Sequence, residues 1–276
     1  MVSASRGFAW LLTATSFIRQ QTWRLLTVAV MVQLAMSLTQ FPVVGILMVL
    51  ALPVLSAGML QCFDQVRRGL PLTPMVLFSP FANRVLVIRL FLLGGIIALT
   101  AVFVITWLLS GIQELQDPEL LSRIEQGDLD AVLELDPAVV QRAFLAIVLG
   151  VSVSGILSHF TIPLIWFRQM PLGMAILTGL KALFKNWLPF LLLGLILAVL
   201  SIPLFITLGL LVGITAVAGG PGIIQYALIL LVVLTIQLLV FGTQYCSFAE
   251  IFEHGGDEGP VPPIGPDEPR DDQFVA

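Results

Sequence analysis

Six stretches of this chain are too long and too apolar to be left in water: residues 25–41, 43–62, 85–109, 140–167, 187–211 and 223–248. A helix rises 1.5 Å per residue, so about 20 apolar residues cross a hydrocarbon core of roughly 30 Å. Residues 25–41 and 43–62 are separated only by Pro42 and together exceed one crossing, so they read as two spans with a tight turn between them. At 58% hydrophobic, 11% charged and a mean hydropathy of +1.02, the 276 residues carry more apolar surface than one soluble core hides. The expected fold is all-α: a polytopic membrane protein whose six transmembrane helices form three hairpins, each preceded by a short interfacial helix on the cytoplasmic side.

The clearest of these short elements opens the stretch Pro171 to Leu200. From Leu172 to Phe184 the apolar residues Leu172, Ile176, Leu180, Leu183, Phe184 and Trp187 recur at helical spacing, with Thr178, Lys181 and Lys185 on the other side. A second lies at residues 1–24, where Phe8, Leu11, Leu12 and Ile18 recur at the same spacing among Ser5, Arg6, Thr13, Ser16, Arg19 and Gln20. The third is stunted: Thr73 as cap and Pro74 at the first helical position start a segment that Pro80 is expected to stop. Units 3–69, 70–170 and 171–252 therefore form a candidate threefold repeat, with Trp23 beside Arg24 in the place of Trp187 beside Lys185, and Asn83 and Arg84 between. A unit of two spans returns to its own side and repeats in parallel, which disfavours inverted-repeat transporter folds.

Charge sets the orientation. Arg6, Arg19, Arg24, Arg67, Arg68, Arg84, Arg89, Arg168, Lys181 and Lys185 fall on one side of the six spans, against Arg123 and Arg142 on the other. The positive-inside bias puts both termini in the cytoplasm of a bacterial inner membrane and the acidic loop 110–139 outside. A helix is expected after Asp117, and Asp136 with Pro137 marks the start of span four. The tail 253–276, rich in Gly, Pro, Asp and Glu, reads as disordered. Cys62 and Cys246 fall at cytoplasmic ends of apolar runs and imply no disulfide framework. The first residues lack a compact apolar core and a cleavage site, so no cleaved signal peptide is expected.

Few residues carry candidate chemistry. Gln33, Ser37 and Gln40 share a face of span one, and Gln237 and Gln244 share a face of span six. With His159 in span four they form a possible polar seam, to be read either as the lining of a path or as hydrogen bonding between helices. Gly150, Ser154 and Ser158 make a small-residue stripe for close helix packing. Arg19, Arg24, Arg84, Lys181 and Lys185 are candidate contacts to anionic lipid. No carboxylate falls inside an apolar run, which weakens a proton- or sodium-coupled carrier. Phosphate-binding glycine loops, HExxH, metal-spaced cysteines and nucleophile elbows are absent, so no catalytic, cofactor-binding or metal-binding residue and no nucleic-acid partner is assigned.

Ala4, Ser5, Arg6, Gly7, Phe8 and Trp10, followed by Trp23 and paired spans, together with Leu77, Phe78, Ser79, Pro80 and Phe81, resemble an uncharacterised proteobacterial family of multipass inner-membrane proteins. More distantly the chain is similar to the membrane domains that accompany glycerophosphodiester phosphodiesterases, without the catalytic residues of those enzymes. The resemblance implies location and topology and transfers no site. The expected function is that of a non-enzymatic membrane protein that organises or partners envelope components through its interfacial helices and lipid contacts, with a membrane protein or a second copy as partner. The alternative is a transporter or channel for a lipid-like or small neutral solute along the glutamine seam.

Overall fold

The computed structural model describes residues 2–112, 120, 122–123, 135–217 and 222–252. The helix expected after Asp117, most of the acidic loop, the Gly219–Pro221 turn and the tail 253–276 lie outside the described residues. Nine α-helices are described: α1 Arg6–Gln20, α2 Thr22–Ser37, α3 Pro42–Arg67, α4 Arg84–Leu109, α5 Pro137–Ser158, α6 Thr161–Arg168, α7 Leu172–Lys185, α8 Trp187–Val217 and α9 Gly222–Ile251. Short 3₁₀ helices fill Leu38–Gln40 and Pro74–Ala82, and no strand occurs among the described residues. Six segments are long and apolar enough to cross a membrane: Thr22–Gln40, Val43–Arg67, Arg84–Leu109, Pro137–Arg168, Trp187–Leu211 and Gly222–Ile251.

Local chemistry sets most boundaries. Pro42 opens α3 at a position whose N–H no helix needs. α3 ends on Gly69 at φ +69, with the Leu70 N–H reaching back to the Gln65 carbonyl, a left-handed cap that glycine accepts without strain. Asn83 Oδ1 accepts from Leu86 N at 3.2 Å to start α4, and Asp136 Oδ1 from Ala138 N at 2.8 Å to start α5.

Several boundaries differ from the sequence reading. α3 continues past the apolar run 43–62 to Arg67, with Gln61 bonded to Trp166 and Asp64 to Tyr245. The Thr73 side chain makes no cap bond, since a 3₁₀ start already satisfies the Val76 N–H with the Thr73 carbonyl. Pro80 lies inside that element, which continues to Ala82. Span four breaks at His159 and Phe160 into α5 and α6. On α1 the buried face is Gly7, Trp10, Leu11 and Ala14, whereas Phe8 and Leu12 point away from the protein.

Helices in contact form a row α5–α4–α3–α2–α9–α8. Against one end of this row pack α1, touching α9, α8 and α3, and the pair α6–α7, which touches α3, α4, α5 and α8. Burial is concentrated at that end: Met59, Leu60, Cys62 and Phe63 close to the end of α3, Leu86 and Leu90 at the start of α4, and Gly242 to Phe248 at the end of α9. Close approach is built with glycine. A methyl on Gly58 would collide with the Leu77 carbonyl of the 3₁₀ helix, and one on Gly94 with the Leu50 carbonyl of α3. Towards the other end the helices are nearly bare, as at Phe103 and Trp107 of α4, Phe144 of α5 and Ile202 and Leu210 of α8.

Candidate functional site

The packed end gathers the charged side chains. α9 closes its apolar run with Thr243, Gln244, Tyr245, Cys246 and Ser247, and all five are buried where α1 and α3 pack against α9 and Phe167 of α6 lies edge-on to Tyr245. The Tyr245 hydroxyl donates to Asp64 Oδ1 at 2.8 Å, and Arg67 Nη1 approaches the same phenol oxygen at 3.4 Å. Asp64, only 3% exposed, pairs through Oδ2 with Arg68 Nε at 2.9 Å, four residues further along α3. A buried carboxylate is costly unless donors surround it, and Tyr245 and Arg68 are two such donors.

A second ion pair joins the ends of the chain. Arg6 donates from Nε and Nη2 to the two Glu250 oxygens, both at 2.6 Å, and Trp10 Nε1 adds a bond to Oε2 at 2.8 Å. The hydrogen bonds to Glu250 raise the Arg6 pKa above its ordinary value, against a smaller lowering by desolvation, so this guanidinium stays charged throughout the accessible pH range.

Two polar clefts flank the cluster. One, of about 260 Å³, lies between α1, α3 and α9 and includes Arg6, Trp10, Phe17, Arg67, Tyr245 and Glu250 in its walls. The other, of about 340 Å³, is walled by Gln61, Asp64, Arg68, Asn83, Trp166 and Gln169, with Trp166 Nε1 donating to Gln61 Oε1 at 2.8 Å. Two larger clefts are almost wholly apolar. About 590 Å³ opens between α2, α3 and the 3₁₀ helix at Met31, Leu34, Leu55, Phe78 and Phe81, and about 600 Å³ between α3 and α4 at Leu50, Phe91 and Leu99.

The seam residues do not line one path. Gln33 Nε2 donates to Gln237 Oε1 at 2.7 Å, tying α2 to α9, and Gln237 Nε2 is buried without a hydrogen-bond partner, as is Ser79 Oγ. Gln244 Nε2 donates to the His159 carbonyl at 2.7 Å, filling the bond lost where α5 breaks. Ser37 Oγ donates to the Leu34 carbonyl and lines the apolar cleft beside α2, while Gln40 stands exposed in a 3₁₀ turn. His159 Nε2 lies 3.1 Å from Ser247 Oγ, with Phe160 and Phe190 edge-on to its ring. Ser247 is fully buried and its hydroxyl bonds the Gln244 carbonyl at 2.9 Å, while His159 is half-buried.

Arg19, Arg24, Arg84, Lys181 and Lys185 are all exposed. Arg89 Nη1 donates to the carbonyls of Gln169 and Met170, at 2.8 and 3.3 Å, just beyond the C-terminus of α6, where a cation is favoured. Arg168 Nη2 bonds the Phe252 carbonyl at the end of α9. Gly150 of the small-residue stripe packs on Ile105 of α4, and Ser154 and Ser158 bond carbonyls of their own helix.

Sequence reasoning missed the pairing of Asp64 with Tyr245 and the contact of Trp10 and Arg6 with Glu250. The signal was there in part, in the unbroken polar run Thr243 to Ser247 at the end of an apolar helix. The absence of carboxylates from the apolar runs held only because those runs were ended at 62 and 248; the helices themselves continue through Asp64 and Glu250. Compared with models of protein families, with curated proteins and with solved structures, the chain matches none.

Proposed function

We propose that this is a non-enzymatic multi-pass protein of the bacterial inner membrane that organises or partners envelope components through lipid contacts, with the packed end and both termini cytoplasmic. The supporting observation is a coincidence of place: the exposed cations Arg19, Arg24, Arg84, Lys181 and Lys185 belong to α1, α7 and the first residues of α2 and α4, at the end where packing is dense, while the helices beyond it expose bare apolar surface. Trp23 and Trp187 stand exposed at that end, and Trp107 and Tyr226 near the other, the distribution expected of aromatic residues at two membrane interfaces.

On this reading α1, the 3₁₀ helix and α7 lie in the cytoplasmic interface, and α2–α3, α4–α5 and α8–α9 are three hairpins. A repeat is supported by the joints: Gln21, Asn83 and Asn186 each stand as one non-helical residue between a short helix and a long one, with ψ of 48, 95 and 33°. Gln21 and Asn186 also tie distant segments, accepting the N–H groups of Leu72 and Val2 at 2.9 and 3.1 Å. The family resemblance of the N-terminus agrees with this location. The bonds within the seam, Gln33 to Gln237 and Gln244 to the His159 carbonyl, favour helix packing over a solute path.

The test is a triple variant, Arg19→Gln with Lys181→Gln and Lys185→Gln, in nanodiscs of defined anionic-lipid content. Each lost cation should weaken attraction to the anionic surface by about 1 kcal/mol. Unchanged dependence on anionic lipid would remove the lipid-reading role.

A further inference from the structure

The 340 Å³ cleft where α3 and α6 end and α4 begins gathers four carboxamides from three separate segments. Gln61 and Gln65 stand four residues apart on one face of α3, Asn83 precedes α4, and Gln169 follows α6. Gln61 Oε1 accepts the Trp166 indole N–H at 2.8 Å, which leaves Gln61 Nε2 without a hydrogen bond among the described residues. Asn83 Oδ1 caps α4 by accepting from Leu86 N at 3.2 Å, and Asn83 Nδ2 is left over in the same way. The side chains of Gln65 and Gln169 make no hydrogen bond among the described residues. The two charged side chains in these walls, Asp64 and Arg68, are joined to each other at 2.9 Å, so the groups left for a ligand are neutral.

A neutral, hydroxyl-rich molecule fits such walls. A carboxamide offers an acceptor oxygen and two N–H donors, and a hydroxyl, itself donor and acceptor, answers either. Trp166 and Phe167 add aromatic surface against which the C–H face of a sugar ring can lie. At ~30 Å³ per water, the cleft has the volume of roughly eleven waters, the space of a monosaccharide rather than of a lipid with its chains. The spans Val43–Arg67 and Pro137–Arg168 end beside it and the span Arg84–Leu109 begins there, the level at which headgroups lie. Asn83 and Gln169 are exposed at its mouth.

We propose that this cleft binds one neutral sugar or polyol ring through Gln61, Gln65, Asn83 and Gln169. A glycolipid headgroup and a free sugar in the adjoining solution offer the same chemistry at this level. The site does not depend on the surface cations Arg19, Lys181 and Lys185.

The experiment uses the full-length chain in phosphatidylcholine nanodiscs, which carry no sugar to compete. One arm adds monoglucosyl or monogalactosyl diacylglycerol to the bilayer, with plain diacylglycerol as control. The other adds methyl glucoside, methyl galactoside or inositol to the solution. Native mass spectrometry and tryptophan fluorescence, to which Trp166 in the cleft wall contributes, read the binding. Saturable binding is expected in at least one arm and not with diacylglycerol. Gln65→Leu combined with Gln169→Leu should weaken it about tenfold by removing two hydrogen-bonding partners. Neither side chain bonds another among the described residues, so this variant keeps its fold. Asn83→Ser, which retains a cap acceptor for Leu86 N, should weaken binding to a lesser degree. Absence of binding in both arms overturns the site, as does binding that these variants leave unchanged. Binding of the glycolipids alone assigns the cleft to a headgroup, and binding of the free sugars assigns it to a soluble ligand. The Arg19, Lys181 and Lys185 triple variant should bind the sugar as wild type does, and Gln65→Leu should keep the wild-type dependence on anionic lipid, so failure of the cleft and failure of the lipid-reading role are separate results.

Discussion

Tyr245 of α9 donates its hydroxyl to Asp64 of α3 at 2.8 Å, across a contact in which the tyrosine is fully buried and the aspartate nearly so. One bond thereby fixes the end of the last long helix to the end of the third, and aligns the two guanidiniums that follow Asp64. A buried carboxylate that loses a donor bears the cost of its own desolvation. Tyr245→Phe should therefore destabilise the protein by about 1–3 kcal/mol, measured as a lowered unfolding midpoint in detergent. A midpoint equal to wild type would mean that the other partners of Asp64, Arg68 among them, satisfy it without the phenol.

Gly58 is where the 3₁₀ helix Pro74–Ala82 lies against α3. Gly58→Ala places a methyl into the Leu77 carbonyl, and overpacking of this kind costs about 1–3 kcal/mol. Gly155→Ala in α5, where nothing lies within 4 Å, is the control and should be neutral or slightly stabilising. Parallel thermal denaturation of the two variants checks the contrast, and equal behaviour would show that the segment 74–82 does not rest on Gly58.

The amide pair Gln33–Gln237 is suited to a double-mutant cycle. Gln33→Leu leaves a second amide group of Gln237 without a partner, in addition to the Nε2 that already has none. The double replacement Gln33→Leu with Gln237→Leu removes both ends and should be less damaging than the sum of the single changes. Interhelical bonds of this type in membranes are worth about 0.6 kcal/mol on average, so a coupling of that order is expected. Additive effects would indicate that the two amides do not meet.

Cys62 and Cys246 are both free and buried. Neither should react with a membrane-permeant maleimide in the folded protein, and both should react after denaturation, as read by intact mass. Cysteines placed at Ser3 and at Asp136 in this background then report the sidedness of the two ends. Labelling of Asp136→Cys from the cytoplasm would reverse the proposed orientation.

Much of the architecture was legible because its determinants are local. Length and apolarity mark the six crossing segments, and proline or glycine marks where α3, α5 and their turns begin or end, since backbone geometry there depends on one residue. The basic residues that the sequence sets on one side also fall together at the packed end. The sequence placed α1 by the apolar spacing of Phe8, Leu11, Leu12 and Ile18; the side that packs on the protein also takes in Trp10, whose N–H is accepted by Glu250, 240 residues away.

The sequence by itself determined that this chain is helical, that six of its segments are apolar enough to cross a membrane, and that its cations are gathered towards one end. Hydrophobic transfer and helical rise act on short stretches, so they can be read without knowing the partners. Only the tertiary structure decided that Tyr245 meets Asp64 and Arg67, that Arg6 meets Glu250, and that Gln33 finds Gln237. Those contacts join residues 178 to 244 positions apart, and a buried polar group is satisfied by whatever donor the packing brings within about 3 Å, which no local pattern records.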